Sequence, residues 1–319
     1  MTGDGAVAGR AGGALAGKAV VVTGGGRGIG RQYALRCAAE GAAVVVNDRD
    51  AEVAEEVAAE IGVAGGRAVA HPADIVDWDL AQGLVARCVD EFGAIDGLVN
   101  NAGEFDMCPA PEVGPELLRR ILDVNVLGTA HCGIHAMRAM LTAGRGSIVN
   151  VTSGAHAGMA AMSVYGASKG AVASLTYTWA LELEGTGVRV NAVSPLAATR
   201  MSEVNLDYRG LAGEERDRFR AMMPAPECNA PAVAYLLSDA AAAVHGQVVR
   251  IDHEEISLLT HPMIRVPGVP GAGGSVAAVA AAFAGPLADS LLPNGFVVAE
   301  VDVSGRYERN RPDEIPAEA

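Results

Sequence analysis

The chain has 319 residues, half of them apolar and only 4% aromatic, with a net charge of −14. That length allows one large domain or two small ones around a substantial core. The acidic balance argues against nucleic acid and against an anionic membrane surface as partners, since both reward basic patches.

Residues 1–17 are largely Gly and Ala and predict a disordered tail. They lack the apolar core of a signal peptide. Five cysteines (Cys37, Cys88, Cys108, Cys132 and Cys228) follow no C-x-x-C spacing and read as free thiols. The Ala-rich run from Val276 to Ala284 is too short to span a bilayer. A cytoplasmic protein without a membrane partner is expected.

Order is expected from Lys18, where Ala19 to Val22 reads as a buried strand. It runs into the glycine loop Thr23-Gly24-Gly25-Gly26-Arg27-Gly28-Ile29-Gly30 and then a helix, Arg31 to Glu40. A second strand, Ala43 to Val46, ends at Asn47 and Asp48, and a helix follows from Ala51 to Ile61. Further strands are read at Arg67 to Ala70, Gly97 to Asn100, Ser147 to Val151, Val188 to Val193 and Gln247 to Ile251. Helical patterns separate them: Trp78 to Phe92, Pro115 to Ala143, Ser163 to Glu184 and Pro231 to Leu237.

This alternation predicts an α/β fold of the Rossmann type, a doubly wound parallel sheet of about seven strands with helices on both faces. A single catalytic domain over residues 18–260 carries a lid-like insertion at 196–226, with a charged helical piece from Glu214 to Met222. Residues 261–319 form a C-terminal extension.

Glycines between a strand and a helix let a pyrophosphate approach the backbone, and the helix N-terminus supplies unpaired N–H groups. Asp48, 18 residues after Gly30, is placed to accept hydrogen bonds from the adenosine ribose and to repel a 2′-phosphate, which favours NAD. Arg27 and Arg49 offer that phosphate a site, so NADP stays open. After the fourth strand, Asn100-Asn101-Ala102-Gly103 leaves room for a ribose or simply makes a turn. Asn125, in an apolar helical run, needs a partner; it is either a satisfied core amide or the anchor of a water.

The densest chemistry lies from Val151 to Lys169. Ser153 follows an apolar strand, and Tyr165 and Lys169 stand four apart, on one helix face. A cation beside a phenol favours the phenolate and tunes it for proton transfer. With six tyrosines and two lysines, Lys18 and Lys169, roughly 0.04 Tyr-x-x-x-Lys matches are expected by chance. His156 and Met159, in the loop before Tyr165, and Tyr208 in the insertion are candidate substrate contacts. His131 and His135 are four apart but lack a third ligand at useful spacing, so no metal site is expected.

Together, TGGGRGIG, Asp74 after the third strand, NNAG, Asn125, Ser153 and Tyr165-x-x-x-Lys169 resemble a classical short-chain dehydrogenase/reductase from about Lys18 to Ile251. VVVNDRD and SPLAATRMSE are similar to the branch of 3-hydroxyacyl-thioester and 17β-hydroxysteroid dehydrogenases. The resemblance implies an NAD(P)-dependent oxidoreductase interconverting a secondary alcohol and a ketone. Tyr165 would be the general acid/base, with Lys169 lowering its pKa and holding the nicotinamide ribose. Ser153 would polarise the substrate oxygen, and Asn125 would anchor a water in a proton relay. Asp74 and Ile75 would meet the adenine, and Val193 to Thr199, Pro195 and Thr199 among them, the nicotinamide. It also implies a homodimer or homotetramer acting on a small ketone or alcohol, with a thioester or a polyketide-like molecule as candidates. An epimerase, dehydratase or cyclase without net redox chemistry is the alternative.

Two positions depart from the family pattern. It has thirteen residues from serine to tyrosine, and Ser153 to Tyr165 is twelve. Thr152 stands at thirteen, but the strand register from Gly146 selects Ser153 and implies a one-residue deletion in the loop from Gly154 to Ser163. The usual Pro-Gly after the sixth strand is Pro195-Leu196.

Overall fold

The computed structural model describes residues 12–262, 268–271, 273, 275–288, 291 and 295–297. Most of the C-terminal extension therefore lies outside the described residues, as do residues 1–11 of the expected tail. The remainder of that tail is built into the domain. Leu15 is fully buried in the core and its N–H donates to the Glu40 carbonyl at 2.9 Å.

The strands form because short Val-rich runs can bury both faces at once. β1 (Ala19–Val22), β2 (Ala43–Val46) and β4 (Gly97–Asn100) are buried at every position, while β3 (Arg67–Ala70) at the edge is only partly covered. β5 (Gly146–Val151), β6 (Val188–Pro195), β7 (Val248–Asp252) and β8 (Glu255–Leu259) complete one sheet of order β3-β2-β1-β4-β5-β6-β7-β8. All neighbours pair in parallel except β7 with β8. The sheet thus has eight strands rather than about seven. The eighth was missed because its hairpin turns through His253 at φ +55°, without the Gly or Asn that usually marks such a turn.

One face of the sheet packs against α1 (Gly28–Ala39), α2 (Ala51–Val63) and α9 (Ala230–Leu237), through Tyr33, Val57, Ile61 and Leu236. The other packs against α3 (Trp78–Phe92), α5 (Thr129–Ala143) and α6 (Ser163–Glu182), through Leu84, Met140, Trp179 and Leu183. The winding reverses between β1 and β4, so a crevice opens beyond their carboxyl ends, the place where such sheets bind ligands. Away from that end, Lys18 is tied to Asp239 at 2.7 Å.

The single helix expected from Pro115 to Ala143 is divided. α4 (Pro115–Leu122) passes into a π-helical turn, Asp123–Gly128, before α5 begins. Such a turn carries one extra residue per hydrogen-bonded ring and frequently sits at functional sites. Asn125 lies within it, fully buried. The insertion holds two helices rather than one, α7 (Arg200–Tyr208) and α8 (Gly213–Met222).

Candidate active site

The glycine loop is shaped by close approaches that side chains would block. A Cβ on Gly30 would lie 2.1 Å from the Gly24 carbonyl oxygen and 2.3 Å from Asn101 Nδ2. A Cβ on Gly26 would meet Val53 Cγ2 at 2.4 Å. Gly28 instead has φ +54° with open space before it, the nearest atom being Thr199 Cγ2 at 3.9 Å. Backbone therefore faces the cavity at the N-terminus of α1, a cradle suited to a pyrophosphate. Because the atoms around Gly30 are backbone and an anchored amide, Gly30→Ala is expected to destabilise the fold by about 2–3 kcal/mol, the upper range of overpacking. A thermal melt reads this as a drop in Tm.

Asn101 fastens the loop. Its Nδ2 donates to the Thr23 and Gly24 carbonyls at 3.0 Å each, while Thr23 Oγ1 accepts from the Asn101 and Ala102 N–H groups at 3.0 and 3.1 Å. Asp48 lies two residues beyond β2, its Oδ2 accepting from the Gly26 N–H at 3.3 Å and its Oδ1 from the Asp50 N–H at 3.3 Å. Both nearby cations are engaged elsewhere: Arg27 with Asp50 at 2.6 Å and Arg49 with Glu104 at 3.1 Å.

A cavity of about 700 Å³ opens beyond these residues. It brings together Gly24, Arg27, Gly28, Ile29, Gly30, Asp48 and Arg49 at the loop, then Asp74, Ile75, Asn101, Ala102 and Gly103. Ser153, Met159, Tyr165, Lys169, Pro195 and Thr199 line it further along. Five of the anticipated residues stand apart from its lining. Thr23 and Gly26 lie behind the loop, where they shape it. Asn125 is behind the wall, His156 is turned so that its Nδ1 lies 2.6 Å from the Ser153 carbonyl, and Tyr208 is exposed on α7.

Tyr165 and Lys169 project from the first turns of α6, as their spacing requires. Lys169 Nζ donates to the Val151 carbonyl at 2.8 Å and lies 5.7 Å from the centroid of the Tyr165 ring. Burial depresses the Lys169 pKa to about 8. Burial also raises the Tyr165 phenol to about 12, against the pull of its hydrogen bond with Ser153. The sequence anticipates a lowered phenol; in the free chain burial outweighs the Ser153 hydrogen bond, and Tyr165 holds its proton at neutral pH.

The choice between the two hydroxyls after β5 has a geometric answer. Thr152 is buried, with its Oγ1 donating to the Lys169 carbonyl at 2.8 Å, whereas Ser153 faces the cavity and the phenol. Asn125 is a fully satisfied amide. Its Nδ2 donates to the Glu104 carbonyl and to Ser168 Oγ, both at 2.9 Å, and its Oδ1 accepts from the Glu104 N–H at 2.7 Å. Ser168 in turn donates to the Tyr165 carbonyl at 2.7 Å. The π-turn thereby ties the loop after β4 to the turn that carries the phenol.

Sequence reasoning missed the apolar half of the cavity. Phe105 meets Tyr165 edge-on with centroids 4.8 Å apart. Met201 from α7, and Phe219 and Met223 in and after α8, line the insertion's side, and Phe296 approaches from the C-terminal segment. The charged run on α8 has no buried residue and, while solvated, also clamps the insertion: Arg216 and Arg220 both reach Glu203 of α7 at 2.6 Å. Those guanidinium groups hold the Glu203 carboxyl down to about 2.

His131 and His135 pack against Trp78, at centroid distances of 5.1 and 4.2 Å. Among the described residues no group of three or more His, Cys, Asp or Glu side chains is arranged to hold a metal ion, and no helix is long and apolar enough to cross a membrane.

Residues 18–207 match the profile of the short chain dehydrogenase family. The chain is 40% identical over 247 residues to the cis-4-hydroxycyclohexanecarboxylate dehydrogenase of Sinomonas cyclohexanicum, a match spanning 75% of this chain and 96% of that one. It is 37% identical over 246 residues to the 2,5-dichloro-2,5-cyclohexadiene-1,4-diol dehydrogenase of Sphingobium indicum, again over 75% and 96%. Among solved structures, a short chain dehydrogenase from Mycobacterium avium superposes with a TM-score of 0.74 at 34% identity, covering 89% of this chain and 97% of that one.

Proposed function

From the premise that this chain belongs to the short-chain dehydrogenase family, oxidoreductases acting on small molecules, we propose that it interconverts a secondary alcohol and a ketone with Tyr165 as general acid/base. The observation that carries this reading is the convergence of Ser153, Tyr165 and Lys169 at a cavity whose other end is a glycine cradle. The names of the two relatives, dehydrogenases of ring-borne hydroxyls, favour an alicyclic alcohol as the substrate class.

The cradle fits a nicotinamide dinucleotide: the open backbone at Gly28 suits the pyrophosphate, Asp48 the adenosine ribose, and Asp74 and Ile75 the adenine. When bound, that cofactor supplies or accepts the hydride. The chain's own residues manage the proton. In reduction the Ser153 hydroxyl donates a hydrogen bond to the ketone oxygen and fixes it beside the phenol. Tyr165 then gives its proton to that oxygen as negative charge develops there. The Lys169 ammonium stabilises the phenolate left behind, and protonation from solvent resets the site. Oxidation runs these steps backwards, with the phenolate taking the alcohol proton.

Asp48 with Arg27 and Arg49 already paired favours NAD over NADP, because a 2′-phosphate would meet a carboxylate and no free cation. Asp48→Ala is expected to lower kcat/KM for NADH by about 10- to 100-fold, the worth of a charge-assisted hydrogen bond, with a smaller loss for NADPH. Steady-state kinetics with each cofactor check this. The activity itself is tested by following NADH absorbance with purified protein and a panel of cyclic and acyclic ketones. Absence of turnover across the panel with both cofactors defeats the proposal.

A further inference from the structure

We infer that Phe296, from the C-terminal segment, is a specificity-determining wall of the substrate chamber, closing it beside Ser153 so that it admits a compact ring ketone. The inference rests on the reading of Ser153 and Tyr165 as the reacting end of the cavity. Phe296 lies 143 positions beyond Ser153 and outside the family match at residues 18–207, so nothing in the motif pattern assigns it a role.

Two backbone contacts seat the segment. The Phe296 ring rests on Gly154, where a Cβ would stand 3.1 Å from its Cε2 and 3.3 Å from its Cζ. One step earlier, Gly295 lies against Gly158, where a Cβ would be in van der Waals contact with the Gly295 Cα at 3.4 Å. Gly154 and Gly158 bracket the short turn after Ser153, so the segment docks on the backbone that positions the hydroxyl. From β7, the Arg250 guanidinium lies 5.9 Å from the ring centroid, within cation–π range, and is itself held by Asp252 at 3.2 Å. Phe296 is half-buried, lines the cavity, and is matched by Phe105, which lies edge-on to Tyr165.

The Ser153/Tyr165 pair therefore has an aromatic ring beside each of its members. Flat apolar walls suit an alicyclic or aromatic ketone, and chamber volume is traded directly against the size of Phe296. Because Gly154 has no side chain, a ring at 296 reaches the catalytic backbone, and shortening it leaves a void that no neighbour at 154 can fill.

The test uses the full chain as wild type, Phe296→Ala and Phe296→Trp, with cyclohexanone and trans-1-decalone as one-ring and two-ring probes. The kcat/KM ratio of decalone to cyclohexanone is expected to rise about tenfold in Phe296→Ala and to fall about tenfold in Phe296→Trp. The Kd for NADH, read by fluorescence titration, should stay within about twofold, since Phe296 sits on the substrate side. A ratio unchanged in both variants overturns the inference, as does an equal loss for both ketones. If the wild type turns over neither ketone, the functional reading fails separately, and amide hydrogen exchange decides the wall. Phe296→Ala should then speed exchange at Ala155 to Gly158 by about tenfold. Unchanged exchange there overturns the seating of Phe296 on this turn.

Discussion

Tyr165→Phe is expected to lower kcat by about 10³-fold, within the range for loss of a general acid/base, while KM changes by less than about threefold. Among the described residues the phenol hydroxyl's side-chain hydrogen-bond partner is Ser153, so its removal takes away the proton donor and little packing. The ring keeps its edge-on contact with Phe105. A melting curve should accordingly show Tm almost unchanged, which separates a chemical loss from a folding loss. Stopped-flow or steady-state NADH absorbance gives the rate. Retention of more than about a tenth of wild-type kcat would assign the proton to another group.

Lys169→Met is expected to have opposite effects on activity and stability. Activity should fall by about 10²-fold or more, because the phenolate left by proton transfer loses its counter-charge in a poorly solvated site. Stability should rise. Lys169 is 4% exposed, and its pKa is pulled from the ordinary lysine value to about 8 by burial. The unfolded chain therefore binds that proton more tightly than the folded one, and the folded state is penalised whenever the amine is charged. The penalty is full below about pH 8, shrinks as pH rises towards 10.4, and vanishes above it. Allowing for the lost hydrogen bond to Val151, Lys169→Met should be more stable than wild type by about 2 kcal/mol at pH 7, with the gap closing towards pH 10. Denaturant unfolding at pH 7 and pH 10 measures both values. A variant less stable than wild type at pH 7 would mean that the buried cation is better compensated than its surroundings suggest.

The sequence discloses what depends on local chemistry and conceals what depends on approach from afar. Short apolar runs alternating with helical patterns located β1 to β7, because most of these runs can be buried on both faces, which leaves few alternatives to a parallel sheet. Tyr165 and Lys169 were legible because helical spacing alone puts them on one face. The π-turn at Asp123–Gly128 was not, since one added residue barely disturbs the apolar rhythm of the helices around it. What holds it is the pairing of Asn125 with Glu104 and Ser168, which only the fold brings within reach. His156 and Tyr208 were placed by loop position, but side-chain direction decides lining: Met159 turns in and those two do not. Phe296 left no signal at all, being distant in the chain and in a segment without a motif. The phenol pKa ran against expectation because adjacency to a cation is visible in sequence and desolvation is not.

The scarcity of lysine in this chain gives it an unusual chemical handle. Of its two lysine side chains, Lys18 is tied to Asp239 at 2.7 Å, while Lys169 opens onto the cavity with an amine whose pKa is about 8. At pH 7 about a tenth of such an amine is unprotonated and nucleophilic, against well under a hundredth for an ordinary lysine. A small electrophile such as cyanate should therefore carbamoylate Lys169 ahead of Lys18, and a molecule filling the cavity should shield it. Peptide-mapping mass spectrometry can then read ligand occupancy as protection of Lys169, in a protein that carries its reporter group as its own second lysine.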